Sequence, residues 1–345
     1  MKKIGFLSFG HWTDSPHSQT RSAADTLLQS IDLAVAAEEL GADGAYFRVH
    51  HFARQLASPF PLLAAIGAKT DRIEIGTGVI DMRYENPMYM VEDAGAADLI
   101  AGGRLQLGIS RGSPEQVVDG WRHFGYQPAE GQTDADMARM HTELFLKVLE
   151  GGGFAEPAPR PMFPNPPGLL RVEPHAPGLR DRIWWGAGSN GTAVWAAKQG
   201  MNLMSSTLKF DEGGAPFHVQ QADQIKAFRK AYKGPRSVCG VHNYSDTNRF
   251  RQTGTKAIIK ALGCKQIWLT EAGGLYKFVG YKADQKRQLR ATKYMFKVAK
   301  ANKKIKRLYV YSWFGAPRSA RFDSGLINPN GTPRKAYAEV RKHVK

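Results

Sequence analysis

Short apolar runs alternate with longer amphipathic ones along most of the chain. Ile4 to Phe9, Gly44 to Val49, Arg72 to Ile80, Arg104 to Ser110, Arg182 to Gly188 and Met201 to Ser206 have the pattern of buried strands. Asp25 to Leu40 instead spaces its apolar residues three and four apart and stops at Gly41, which predicts a helix with a C-terminal stop. Met90 to Ile100 and Asn190 to Gln199 read the same way. Farther on, Arg236 to Tyr244, Gln266 to Glu271 and Arg307 to Trp313 add three strands, with helices at Gly254 to Leu262 and Ala283 to Lys300. The βαβα order predicts an α/β protein with a parallel sheet or barrel, the closed form being a (β/α)8 TIM-barrel-like body. Nine strand candidates exceed the eight of such a barrel, so one strand is surplus, misread or displaced. Eight prolines between Pro157 and Pro177 exclude regular structure there, and an insertion of about 151–181 is expected to be an ordered excursion or lid.

Composition adds a boundary. The 345 residues are 42% hydrophobic and 23% charged, which fits two ordinary domains or one large barrel and excludes a disordered or collagen-like chain. The formal charge of +17 is unevenly placed: residues 1–233 carry a net −3 and residues 234–345 a net +20. The joint is therefore expected near Lys233, Gly234 and Pro235, dividing the chain into 1–233 and 234–345. Cysteine occurs only at Cys239 and Cys264, too few for a disulfide framework or a four-thiolate zinc site. No run approaches the length of a membrane span, and the N-terminal apolar run is too short for a secretory signal, so a cytoplasmic location with no membrane partner is expected.

The main chemical signal of the first part is RIWWGAGSNGTAVWAAKQG. Gly186, Gly188 and Gly191 stand in G-x-G-x-x-G spacing between a strand and a helix, where bare backbone and free N–H groups suit a phosphate. Ser189 and Thr192 add hydroxyls, and Arg111, at the end of an earlier strand, adds a bidentate cation. The next strand ends in Ser205 and Ser206 rather than an acid, which favours a mononucleotide over a dinucleotide. A tight strand-to-helix turn and a surface salt bridge are the plainer readings of the glycines and of Arg111. His50 and His51 close the second strand. Adjacent strand residues face opposite ways, so at most one of them is expected in the barrel mouth, and no metal is expected.

Residues 1 to about 232 resemble the bacterial luciferase-like flavin-dependent monooxygenases. The segments that carry the likeness are RVHHF, RIEIGTGVIDMRYENPMYMVEDAGAADLIAGGRLQLGISRGSP and RVEPHAPGLRDRIWWGAGSNGTAVWAAKQGMNLMSS. The resemblance implies a barrel holding reduced FMN, or a deazaflavin coenzyme, at its C-terminal mouth. It places the phosphate on Arg111, Ser189 and Thr192 beside Gly188, the isoalloxazine wall on Thr77 and Gly78, and a pocket histidine on His50. It also implies a small-molecule substrate, oxygen and a separate flavin reductase.

Residues 235–345 resemble instead the closing strands of retaining glycoside hydrolase barrels of the two-glutamate clan, through GVHNYSDTNRFR, KQIWLTEAGGLYKF and RLYVYSWFGAPRSARFDSGLINPNGTPRKAY. That resemblance makes Glu271 the nucleophile and puts Trp313 at the sugar site, while the residues themselves offer Trp268, Tyr244 and Trp313 as flat surfaces that stack on sugars and His242 and Asn243 as donors. Retention needs a second carboxylate about 5–5.5 Å away. The Asn-Glu pair that supplies it in that clan is absent from this chain, and Glu115 lies on no matching motif. The chain thus looks like a chimera of two barrels. Flavin-dependent oxidation is expected, impaired by the exchanged closing strands. A glycosidase acting through Glu271 is the first alternative, and non-specific polyanion binding by the basic C-terminal segment, with no specific nucleic acid, is the second.

Overall fold

A computed structural model describes residues 3–112, 116–205, 214–232, 238–262, 264, 266–279, 282–317 and 319–344. Its strands are β1 (Lys3–Ser8), β2 (Gly44–Phe47), β3 (Glu74–Thr77), β4 (Ile80–Asp81), β5 (Leu105–Ser110), β6 (Ile183–Ala187), β7 (Asn202–Ser205), β8 (Val238–His242), β9 (Gln266–Ala272) and β10 (Ile305–Val310). Among the described residues, ten α-helices separate or follow them. These are α1 (Ala23–Glu39), α2 (Pro59–Lys69), α3 (Pro87–Ile100), α4 (Asp134–Leu149), α5 (Asn190–Lys198), α6 (Phe217–Ala231), α7 (Tyr244–Asn248), α8 (Thr253–Leu262), α9 (Gln285–Ala301) and α10 (Lys335–Arg341). No helix among the described residues is long and apolar enough to cross a membrane.

The strands pair in parallel in the order β3-β2-β1-β10-β9-β8-β7-β6-β5, and β5 pairs again with β3 to close the ring. The barrel therefore has nine strands rather than the expected eight. Its ninth strand is built into the wall, and the short β4 lies outside the ring against β5. One seam between the two compositional halves is firm: β1 and β10 align over Gly5↔Tyr309 and three further pairs. At the other seam, β7 and β8 align at Met204↔Gly240. The expected joint at 233–235 lies outside the described residues.

A wider ring has more space to fill, and the inward side chains answer with aromatic bulk. Leu7, Tyr46, Trp184, Trp268 and Tyr309 form a buried cluster inside the barrel. Tyr46 and Tyr309 meet edge to face with centroids 4.8 Å apart, and Trp184 and Trp268 lie at the same separation. Glycines on neighbouring strands make the room. A Cβ on Gly5 would strike the Tyr309 ring, and one on Gly76 would strike the Gln106 carbonyl oxygen and the Tyr46 ring. Trp184 donates its indole N–H to Gln106 Oε1 at 3.0 Å. Below this layer Arg307 pairs with Glu74 and lies 3.5 Å from the Trp268 ring centroid. Outside the strands, Leu63, Ile66, Ile75, Leu105, Leu107 and Phe145 belong to the main core between sheet and helices.

One local expectation changes, and the two cysteines find each other. Residues 72–80 form β3 and β4 with a break at Gly78 and Val79, rather than one strand. Cys239 on β8 and Cys264 just before β9 are joined in a disulfide, which parallel neighbouring strands permit by bringing their Cα atoms to 6.3 Å. The proline-rich segment is largely irregular, held by the bridge between Ala155 and Leu170.

If the inward glycines are what admit the aromatic layer, Gly76→Ala should lower stability by about 2 kcal/mol. Gly152→Ala, whose Cβ would meet open space, should stay within about 0.5 kcal/mol. Urea unfolding with an unchanged slope and a lowered midpoint for Gly76→Ala alone is the expected result.

Candidate functional site

Parallel strands send all their C-terminal ends to one rim of the barrel, and a cavity of about 190 Å³ lies there above the aromatic layer. Its volume is on the scale of a fused ring system rather than a whole nucleotide. Gly78, Gly186 and Gly188 contribute bare backbone, and Arg48, His50, His242, Thr270 and Glu271 contribute chemistry. The cavity thus joins candidate residues from both halves of the chain, His50, Gly78 and Gly188 from the first and His242 and Glu271 from the second.

Glu271 reaches the cavity through an irregularity. Strict alternation along β9 would turn Trp268 and Thr270 inward and Glu271 outward. The register against β8 slips between Val241↔Leu269 and His242↔Glu271, and the register against β10 also shifts, so Thr270 and Glu271 both line the cavity. The carboxylate accepts a hydrogen bond from the Tyr244 hydroxyl at 3.0 Å and faces His242 Nδ1 at 3.3 Å. Burial pushes the Tyr244 hydroxyl far above its usual range, and the neighbouring Glu271 charge pushes it further. Burial lowers the His242 imidazole, with Glu271 opposing and Arg48 reinforcing that shift. Tyr244 is therefore a held proton donor and His242 a neutral base near pH 7.

Both histidines after β2 line the cavity, contrary to the expectation that only one would. The strand ends at Phe47, so residues 48–51 are free of the alternation that would separate them. His51 stacks on Tyr84 with centroids 4.0 Å apart. His50 Nε2 lies 3.3 Å from the Arg48 guanidinium. Its pKa falls to about 4, chiefly through burial and then through the Arg48 charge. Arg48 was not singled out in the sequence, and an arginine inside RVHHF carries no spacing signal that marks it. Its Nε is buried without a hydrogen-bond partner among the described residues, as are Thr270 Oγ1 and Trp268 Nε1.

The other candidate residues are placed differently. Thr77 is fully buried and its hydroxyl bridges β3 and β5, donating to the Gly108 carbonyl at 2.8 Å and accepting from the Gly108 N–H at 3.1 Å. Ser189 caps α5 in a reciprocal box with Thr192. Arg111, half-buried, follows β5. Arg111, Ser189 and Thr192 are not among the described residues lining the cavity. Asn243 donates to Thr255 Oγ1 at 3.1 Å, and Trp313 packs edge to face on Tyr337. Asp81, the other described carboxylate on the cavity wall, is engaged by Arg83 at 2.7 Å. Glu115 lies outside the described residues.

A family model described as "Luciferase-like monooxygenase" matches residues 1–291, beyond the compositional break. An uncharacterized protein of Bacillus subtilis, YwcH, is 30% identical over 203 residues, 58% of this chain and 57% of that protein. The chain thus spans little more than half the length of such curated relatives. A monooxygenase from Streptomyces bottropensis superimposes with a TM-score of 0.58 at 17% identity, covering 99% of this chain and 96% of that one. The oxygenating constituent of 3,6-diketocamphane monooxygenase from Pseudomonas putida, solved in complex with FMN, gives 0.54 at 17% identity, covering 90% and 92%.

The imidazole of His50 should titrate near pH 4 by NMR, and Arg48→Met should move it part of the way back toward 6.5. The unfolded chain takes up this proton near 6.5. The stability His50 contributes is therefore present above that pH and lost as pH falls toward about 4. A His50 resonance titrating near 6.5 in the folded protein would show that the cavity is wetter and less cationic than its geometry implies.

Proposed function

The chain belongs to the luciferase-like monooxygenase family, and we propose that it is a flavin-dependent oxidoreductase that holds reduced FMN, or a deazaflavin coenzyme, at its barrel mouth. The observation that carries this reading is the cavity itself. Bare backbone at Gly78, Gly186 and Gly188 leaves room for a flat ring, while Arg48 Nε, Thr270 Oγ1 and Trp268 Nε1 are buried donors without partners among the described residues. A ring system edged with acceptors satisfies such a donor set. Arg111 and the first-turn N–H groups of α5, with the hydroxyls of Ser189 and Thr192, would hold the coenzyme's phosphate, since a helix start attracts an anion.

A bound reduced flavin supplies the reducing equivalents for oxygen and a small-molecule substrate, and a separate reductase renews it. The protein's own part is to exclude water below the site with Trp184, Trp268, Tyr46 and Tyr309, and to hold protons above it. Neutral His50 accepts a hydrogen bond, and the Tyr244–Glu271–His242 group holds a proton between a phenol, a carboxylate and an imidazole.

In this reading residues 1–233 supply the coenzyme's backbone wall and residues 234–345, joined as from a second barrel, supply the acid–base wall. The chimeric joint impairs turnover by displacing the mouth, since a shift of about 1 Å in a site costs about 10²-fold in rate. Hydrolysis of glycosides through Glu271 is disfavoured because Asp81, the other described carboxylate on the wall, is locked to Arg83. The basic face of α9 is read as a solvated outer surface, with salt-screened attraction for polyanions at most.

Titration of FMN into the protein, followed by flavin fluorescence, should saturate. Arg111→Ala should weaken binding about tenfold, through loss of a charge-assisted phosphate contact. Glu271→Gln should leave affinity within about twofold, and aryl glycosides should release no chromophore. No saturable binding to folded protein, or binding indifferent to Arg111, would defeat the proposal.

A further inference from the structure

A second, larger cavity of about 690 Å³ lies outside the barrel, between β8 and β9 and the helices α6, α7 and α8. Its walls are mainly apolar, with Val241, Ile258, Ile267 and Leu269 among them, and it shares His242 and Glu271 with the barrel mouth. At this size it takes a molecule of several rings or a comparable apolar skeleton.

One polar group in its lining is out of keeping with the rest. Gln221 on α6 is 1% exposed and its side-chain amide nitrogen has no hydrogen-bond partner among the described residues. Gln224, one turn along the same helix and equally buried, is satisfied in full view of it. Its Oε1 accepts from Ser205 Oγ at 2.6 Å and its Nε2 donates to the Ala187 carbonyl at 3.2 Å. Burying an amide donor beside an apolar void without a partner is costly, and native proteins rarely do so unless something else supplies the acceptor.

We infer that this cavity is a binding site for a neutral, apolar carbonyl compound whose oxygen accepts from Gln221 Nε2. Charge is disfavoured on either side. An anion would meet the Glu271 carboxylate at the junction of the two cavities, and a cation would be stripped of water among Val241, Ile258 and Leu269, where the two buried carboxylates of the lining are already engaged, Glu271 by the Tyr244 hydroxyl and Asp246 by the Thr255 N–H and hydroxyl. Arg249, at the polar end, is already engaged with Ser245 Oγ at 2.7 Å. The site is separate from the flavin reading and stands or falls independently of it.

The test uses prodan, a neutral naphthalene ketone whose emission shifts to the blue in apolar surroundings, titrated into the full chain with and without excess FMN. Saturable one-site binding is expected. Gln221→Leu should weaken it about fivefold, by removing one hydrogen bond while keeping the apolar wall. Ile259→Trp, on the half-buried side of α8, should abolish it by filling the cavity. Both variants are compared with the parent by thermal melting, so that loss of fold is separated from loss of site. Binding that persists under excess FMN supports a second site even if FMN itself proves not to bind. Non-saturable uptake, affinity unchanged in both variants, or displacement of prodan by FMN would overturn the proposal.

Discussion

The width of a nine-stranded ring has to be filled from within, and the layer of Tyr46, Trp184, Trp268 and Tyr309 does this for the whole molecule. Each added strand widens a parallel barrel, so side chains that close an eight-stranded interior would leave a void here. The aromatic layer also sets the depth of the site, because the mouth cavity begins where the rings end. Inward glycines on β1, β2 and β3 belong to the same constraint: bulk on one strand requires its absence on the next. Packing of the floor and shape of the site are thus one property.

The chemistry above that floor depends on two departures from regular strand geometry. β2 ends early enough for Arg48, His50 and His51 to turn together into the mouth, and β9 slips so that Thr270 and Glu271 both do. With His242, their juxtaposition places a guanidinium, three imidazoles and the Glu271 carboxylate around one small cavity, and the Tyr244 phenol donates to that carboxylate. Burial is the first cause of the shifts at His50, His242 and Tyr244, and the neighbouring charges add to or oppose it. The Arg48 charge depresses His50 and His242, and the Glu271 charge raises Tyr244.

Much of this was legible in the residues and some was not. All nine ring strands, α1 and the strand-to-helix turn before α5 follow from periodicity and stop signals, because these report which face of an element is buried. The surplus strand was visible too, but its accommodation was not, since ring closure depends on pairings between β1 and β10 that are some three hundred residues apart. Alternation misjudged His51 because it holds only while a strand continues. Arg48 escaped notice because nothing in local spacing distinguishes an arginine that ends in a cavity from one that ends in solvent. The disulfide between Cys239 and Cys264 follows from neighbouring strands, which cysteine counting does not supply.

The parallel barrel also explains how segments of such different composition meet at one site. In this topology every strand delivers its C-terminal residue to the same rim, whatever the origin of the strand, so β8 and β9 bring His242 and Glu271 to the place where β2, β3 and β6 bring His50, Gly78 and Gly188. Convergence of candidate residues is therefore a weaker sign of a tuned active site in this fold than in one where distant elements must be steered together. What the topology does not dictate is satisfaction of the buried donors. Arg48 Nε, Thr270 Oγ1 and Trp268 Nε1 come from both halves of the chain, and their residues line one cavity. A shared acceptor among them would make the mouth a single site, whereas partners found separately would leave two half-sites side by side.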